Sequence, residues 1–220
     1  MSSQSTLDAF LKTKPIGASS YHLTLPHGDS WLEVHPRLPP ELLMDPATFE
    51  RIWALHPKDL ATGTVGPEQK AVTFQRWTEM YGHEHYDFSG QRHEGQPLDD
   101  PFLQTILAWI QKHSGQPYQG LLINWYKDGS HYIGKHRDKE TQLVKGSAIY
   151  SLSYGQDRDF VIEADEQPCT YRKVIHMNDG SGIIMGGQTQ TFYKHSVPPR
   201  AKSKCMGRRI NITARLFKGA

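Results

Sequence analysis

From Tyr118 to the C-terminus the chain is a succession of short alternating or apolar runs, each broken within a few residues by Gly, Asp or Asn. The candidate strands are Leu121–Tyr126, Tyr132–His136, Ala148–Tyr154, Asp159–Glu163, Thr170–Met177, Gly182–Met185, Thr191–Lys194 and Arg208–Phe217. Eight strands at this spacing predict an antiparallel sandwich or barrel of jelly-roll type. Helical periodicity is confined to the first half. One helix is expected after Pro39-Pro40, through Leu42, Leu43, Phe49, Ile52 and Trp53, and a second between Asp99 and Ser114, where Phe102, Leu103, Ile106, Leu107 and Ile110 recur at three and four residues. The stretches His56–Gly66 and Gly82–Pro101 read as loops. The fold class is therefore mainly β with flanking helices (α+β), the helices packed on the outside of the jelly roll.

A length of 220 residues suits one well-buried domain. The Ser- and Thr-rich first 20 residues read as a flexible tail, leaving 21–220 as the single domain. No apolar run approaches the roughly 18 residues of a membrane span, and the first residues lack a secretory pattern, so an intracellular chain without membrane partners is expected. Cys169 and Cys205 are too few for a disulfide framework or a four-thiolate zinc site. The formal charge of +2 conceals an asymmetry: Gly180–Ala220 holds eight Lys and Arg and no Asp or Glu. A cationic C-terminal fifth favours an anionic partner, a carboxylate or a phosphate backbone.

His136-Arg137-Asp138 sets an imidazole and a carboxylate two residues apart, so on a strand both point to one face and can hold one metal ion. His27/Asp29 and His85/Asp87 share that spacing, and context must choose. The first lies in a Pro- and Gly-rich loop and the second in a polar segment, whereas the third closes a strand pair introduced by Asn124-Trp125-Tyr126-Lys127-Asp128-Gly129. The last strand adds a second signal. Arg209, Asn211, Thr213 and Arg215 occupy one face and Ile210, Ile212, Ala214 and Leu216 the other. Turned inward, the polar face needs an anion such as a small dicarboxylate, because unpaired buried charge is costly. The alternative keeps the apolar face inward and the arginines solvated. His195 supplies a second imidazole between these elements. Two His and one carboxylate occupy one face of an iron(II) ion and leave positions for a bidentate 2-oxo acid and dioxygen. The three ligands alone would also suit zinc; the neighbouring anion site favours iron.

In this order the motifs resemble the AlkB family of iron(II)- and 2-oxoglutarate-dependent dioxygenases, nearest its nuclear DNA-repair branch. The likeness covers residues 76 to 217 and rests on Asn124-x-Tyr126-x-Asp128-Gly129, His136-x-Asp138-x-Glu140, Ser151-Leu152-Ser153-Tyr154-Gly155, Arg158-Asp159-Phe160, His195 and Arg209-x-Asn211-x-Thr213-x-Arg215. The resemblance implies a double-stranded β-helix. It implies His136, Asp138 and His195 as iron ligands and catalytic centre. Arg209 would take the distal carboxylate of 2-oxoglutarate with Asn124 and Tyr126, and Arg215 the carboxylate nearer the metal with Asn211 and Thr213. Phe88, in Tyr86-Asp87-Phe88-Ser89-Gly90, would stack on an extruded base opposite the His136 ring, and Lys139 and Glu140 would read the base edge. The implied reaction is oxidative demethylation of N-alkylated bases such as 1-methyladenine and 3-methylcytosine in DNA, with RNA a further candidate. It uses Fe(II), O2 and 2-oxoglutarate, with ascorbate as reductant, and releases formaldehyde, succinate and CO2. A nuclear monomer is implied. The rivals are a hydroxylase or demethylase of the same fold acting on protein or a small molecule, and a non-catalytic nucleic-acid-binding module.

Two outer elements complete the expectation. Pro198–Lys204 is a basic loop suited to phosphate, and Thr64-Val65-Gly66 is the candidate for an apolar wedge into a duplex. In the tail, Gln4, Leu7, Phe10 and Leu11 resemble the peptide by which replication proteins dock on the sliding clamp; the last three fall on one helical turn.

Overall fold

The computed structural model describes residues 20–66, 68–138, 141–201 and 207–219. The expectations for Gln4, Leu7, Phe10, Leu11, Lys139 and Glu140 lie outside them, as do residues 202–204 of the basic loop.

Alternation along two segments sets the layering. Gly120–Tyr126 and Arg209–Arg215 pair antiparallel over their whole length, and every residue of both is buried. Leu121, Ile123 and Trp125 join Ile210, Ile212 and Ala214 in an apolar layer beneath the helices. Leu122, Asn124 and Tyr126 join Arg209, Asn211, Thr213 and Arg215 on the wall of an internal cavity. Neither face of the last strand meets solvent, so the apolar and polar faces are both inward, toward different layers. Each large aliphatic side chain buried here contributes roughly 1.5–3 kcal/mol.

These strands, β8 and β15 in chain order, are central in a nine-stranded sheet. From one edge it runs β1 (Tyr21–Thr24), β2 (Ser30–His35), β13 (Ser181–Gly187), β10 (Ile149–Gly155), β15, β8, β5 (Trp77–Tyr81), β7 (Gln91–Gln96) and β6 (His85–Phe88). A four-stranded sheet packs against it in the order β12 (Arg172–Met177), β11 (Arg158–Ala164), β14 (Tyr193–Val197) and β9 (Ile133–His136). Leu32, Val34, Ile149, Ile183 and Met185 of the first sheet meet Phe160, Ile162, Ile175 and Tyr193 of the second, closing one end of the sandwich. A separate hairpin joins β3 (Thr62–Val65) to β4 (Lys70–Thr73). This is the expected jelly-roll core.

Helix α1 (Pro46–Trp53) and helix α2 (Pro101–Ser114) cover the larger sheet, with Leu103, Ile106 and Ile110 of α2 packed over Leu121, Ile123 and Trp125. Asp100 caps α2 by accepting from Phe102 and Leu103 N–H at 2.8 and 3.2 Å, and Gly115 ends it at φ +64°. Among the described residues, no helix is long and apolar enough to cross a membrane.

The structure corrects several expectations. The single helix after Pro39-Pro40 is two elements: a 3-10 turn at Pro40–Leu42, extended backbone at Leu43, then α1, which Asp45 caps by accepting from Thr48 N–H at 2.9 Å. Thr191–Lys194 is strand only in its second half, where Tyr193 and Lys194 open β14. A helical turn, α3 (Thr189–Phe192), precedes β14, anchored by Thr189 Oγ1 donating to Gly186 O at 2.6 Å. The two presumed loops contain β3 and the hairpin β6–β7, which turns tightly at Ser89-Gly90, both at positive φ. β1, β2, β4 and β5 were not among the expected strands.

Candidate metal centre

Strand pairing brings the two imidazoles together: His136 on β9 is the register partner of His195 on β14, and their ring centroids lie 4.2 Å apart. Asp138 follows two residues after His136, with its Oδ1 3.8 Å from His136 Nε2. One ligand atom from each of the three lies within 4.8 Å of the others. Among the described residues, no other group of His, Cys, Asp and Glu converges so closely, and His27/Asp29 and His85/Asp87 gather no third ligand. His136 Nδ1 is 2.9 Å from Gly134 O. A carbonyl can only accept, so Nδ1 carries the proton and Nε2 presents its lone pair toward Asp138 and His195.

The electrostatics prepare a cation site. Burial, with help from the His136 ring, pushes His195 down to about 3, and burial likewise lowers His136, so both imidazoles are neutral donors at pH 7. Burial alone would push the Asp138 carboxyl up. Arg215 and the two imidazoles outweigh it and hold Asp138 down at about 2. Arg215 donates to Asp138 Oδ2 from Nη2 at 2.9 Å and from Nε at 3.2 Å. Its guanidinium also lies over the Tyr86 ring at 5.4 Å.

The triad sits on the wall of a cavity of about 350 Å³. Arg209 is 3 % exposed, donates from Nη2 to Ser153 Oγ at 2.9 Å and lies 4.8 Å over the Tyr126 ring. Asn211 Nδ2 donates to Ser151 Oγ and Leu152 O at 2.9 and 2.8 Å, while its Oδ1 accepts from Thr213 Oγ1 at 3.2 Å. Asn124 Oδ1 accepts from Arg76 Nε at 2.7 Å. Arg76 is a buried cavity residue that the sequence reading did not assign. Its signal is period-two alternation with Thr78 and Met80 along and just ahead of β5. The cavity thus brings together Asn124, Tyr126, His136, Asp138, His195, Arg209, Asn211, Thr213 and Arg215, with Tyr86 and Phe88 on its aromatic side. Phe88 stacks on His93 at 3.8 Å and 11°, with Phe74 beside the pair at 5.9 and 6.2 Å.

Arg200, by contrast, is engaged within the protein, at 3.4 Å from Asp157 and 2.9 Å from Asp159, so the start of the basic loop is tied to β11. Val65, in the proposed wedge, is 47 % exposed on the β3–β4 hairpin. Cys169 is exposed.

The donor set tests what the site can hold. Two neutral imidazoles and one carboxylate kept ionised are borderline ligands that leave several metal positions open. Among the described residues, the cavity wall carries Arg76, Arg209 and Arg215 against the one carboxylate of Asp138, with Lys135 and Arg137 paired to Glu163 and Asp165, an excess of positive charge that suits a dianionic cosubstrate. A jelly roll with a two-histidine, one-carboxylate face beside a guanidinium-lined cavity defines a non-haem metal oxygenase. The model of the 2OG-Fe(II) oxygenase superfamily matches residues 50–215, and the chain belongs to that superfamily. The family implies Fe(II), 2-oxoglutarate and O2, and the residues present fit them.

Its curated relatives are AlkB-type. The chain is 37% identical over 136 residues to the DNA oxidative demethylase ALKBH2 of Homo sapiens, covering 59% of this chain and 51% of that protein. It is 36% identical over 136 residues to the ALKBH2 of Bos taurus, covering 59% and 48%. Alpha-ketoglutarate-dependent dioxygenase alkB homolog 3 of Rattus norvegicus is 33% identical over 147 residues, covering 64% and 49%. The chain spans about half the length of these relatives. The solved structure of OsALKBH1 shares the fold, with a TM-score of 0.57 at 17% identity over 90% of this chain and all of that one.

Proposed function

We propose that the chain is an oxidative demethylase of N-alkylated nucleobases in DNA, and that residues 21–220 form one catalytic domain. The observation that carries the reading is the cavity, in which a metal-ligand triad stands between a cationic, hydrogen-bonded wall and an aromatic side containing Phe88. When bound, iron(II) with 2-oxoglutarate and O2 supplies the oxidation of an N-methyl group, which leaves as formaldehyde while the cosubstrate becomes succinate and CO2.

The chain's own residues carry out the rest. His136, Asp138 and His195 hold the ion. Arg215 keeps Asp138 ionised, so that the ligand needs no deprotonation. Arg209, fixed by Ser153 and Tyr126, offers a planar fork to the distal carboxylate of 2-oxoglutarate, with Asn124, Asn211 and Thr213 completing the wall. A base stacked inside a duplex cannot reach a triad that includes the buried His195, so the target is extruded and its face takes the Phe88 ring, which His93 supports from behind. Lys139 and Glu140 are assigned to the base edge. Repair in the nucleus by a monomer, docked to a sliding clamp through Gln4, Leu7, Phe10 and Leu11, completes the reading.

The test is incubation with Fe(II), ascorbate, 2-oxoglutarate and oligonucleotides carrying 1-methyladenine or 3-methylcytosine, single- and double-stranded. Loss of the methyl mass with matching succinate, abolished in Asp138→Ala, is expected. Succinate without methyl loss would point to a different substrate and refute the assignment.

A further inference from the structure

The ligand triad comes from two separate stretches, and strand pairing between them is short and irregular: β9 and β14 share the His195–His136 and Val197–Ile133 positions, with a register shift between. Two other contacts join the same stretches. Gln190, in α3 and five residues before His195, accepts the Asp138 backbone N–H at its Oε1 at 2.9 Å, and its Nε2 rests on Met185 Sδ at 3.5 Å. Asp165, just beyond β11, pairs with Arg137, which lies between the first two ligands, and with Lys194 at 2.5 Å, which precedes the third. Asp165 N–H also donates to Phe192 O at 2.8 Å. Gln190 reaches Asp138's own backbone from the stretch that carries His195, and Asp165, at the end of β11, bridges the immediate neighbours of ligands in both stretches.

We infer that Gln190 and Asp165 are positioning residues of the metal centre, setting the distance between the His136–Asp138 stretch and His195. The inference rests on the metal reading of the triad. Gln190 contributes an acceptor and Asp165 a charge; neither touches the ion. Groups that hydrogen-bond to and orient metal ligands typically govern metal affinity by ten- to a hundredfold, and Gln190 makes such a bond while half-buried. The Asp165 pairs are partly exposed and weaker.

The experiment is a titration of metal-free full-length protein with Mn(II), read by calorimetry, alongside the melting temperature of each metal-free variant. Gln190→Leu should weaken Mn(II) binding about tenfold. Gln190→Glu, which still accepts from the Asp138 N–H, should stay within about threefold of wild type, and Asp165→Asn should lose about threefold. A role confined to folding would lower the melting temperature and leave affinity unchanged in the folded variants. Gln190→Leu binding Mn(II) as wild type does, or Gln190→Glu falling as far as Gln190→Leu, overturns the inference. If the wild-type chain does not bind Mn(II), the metal reading falls, and this inference with it.

Discussion

Replacing Arg215 by Met tests the electrostatics of the site with no metal or substrate present. Arg215 and Asp138 are each 7 % exposed in their side chains and joined at 2.9 Å. Asp138 sits at about 2 in the folded protein, against about 3.9 for an ordinary aspartate. The folded value lies below the unfolded one, so the associated stability, about 2–3 kcal/mol, is present above pH 4 and lost as pH falls toward 2. Truncating the arginine also strands a buried carboxylate without the group that hydrogen-bonds it, so Arg215→Met should cost about 3–5 kcal/mol at pH 7. Asp138→Asn removes the carboxylate charge from beside Arg215 and Arg76 and should cost a similar amount. The double variant removes both charges and should be less destabilised than the sum of the singles by about 2 kcal/mol or more. Urea unfolding in chelator at pH 7 measures all three. Additive losses would refute the coupling and the claim that Arg215 keeps the ligand ionised.

Arg209→Lys keeps the charge but loses the fork, and should raise the KM for 2-oxoglutarate about tenfold or more while leaving oligonucleotide binding unchanged; steady-state kinetics with each substrate varied separate the two. Phe88→Ala should weaken binding of a methylated oligonucleotide by about 1–3 kcal/mol without changing 2-oxoglutarate affinity, as measured by fluorescence anisotropy. His195 has a folded value near 3, below its ordinary 6.5, so the metal-free protein binds more protons unfolded and should lose stability steadily from pH 6.5 downward. His195→Gln should flatten that slope in pH-dependent urea titrations.

How much was legible depends on how strongly each segment's burial differs between its faces. Arg209–Arg215 announces itself because its two faces go to two chemically different layers, one under the helices and one in the cavity. Helix α2 is equally plain, with Asp100 and Pro101 at its start, Gly115 at its end and one apolar stripe between. The strands toward the β6 end of the sheet are not plain. Gln91–Gln96 reads Gln-Arg-His-Glu-Gly-Gln and is extended only because β6 and β5 pair with it, a long-range cause invisible in a local pattern. Thr191–Lys194 has strand-like composition, yet the anchor of Thr189 on Gly186 O and the Gln188 N–H bond to Asp29 O bend it into a helical turn first. The candidate ligands could be read from motif context, whereas Arg76, Gln190 and Asp165 act through partners 48, 52 and 28 or more residues away.

The most direct measurement is a crystal structure grown anaerobically with Mn(II) and 2-oxoglutarate. The account predicts one ion bonded to His136 Nε2, Asp138 and His195, with the cosubstrate's far carboxylate on Arg209. An ion bound elsewhere, or a cosubstrate that leaves the Arg209 guanidinium untouched, would contradict it.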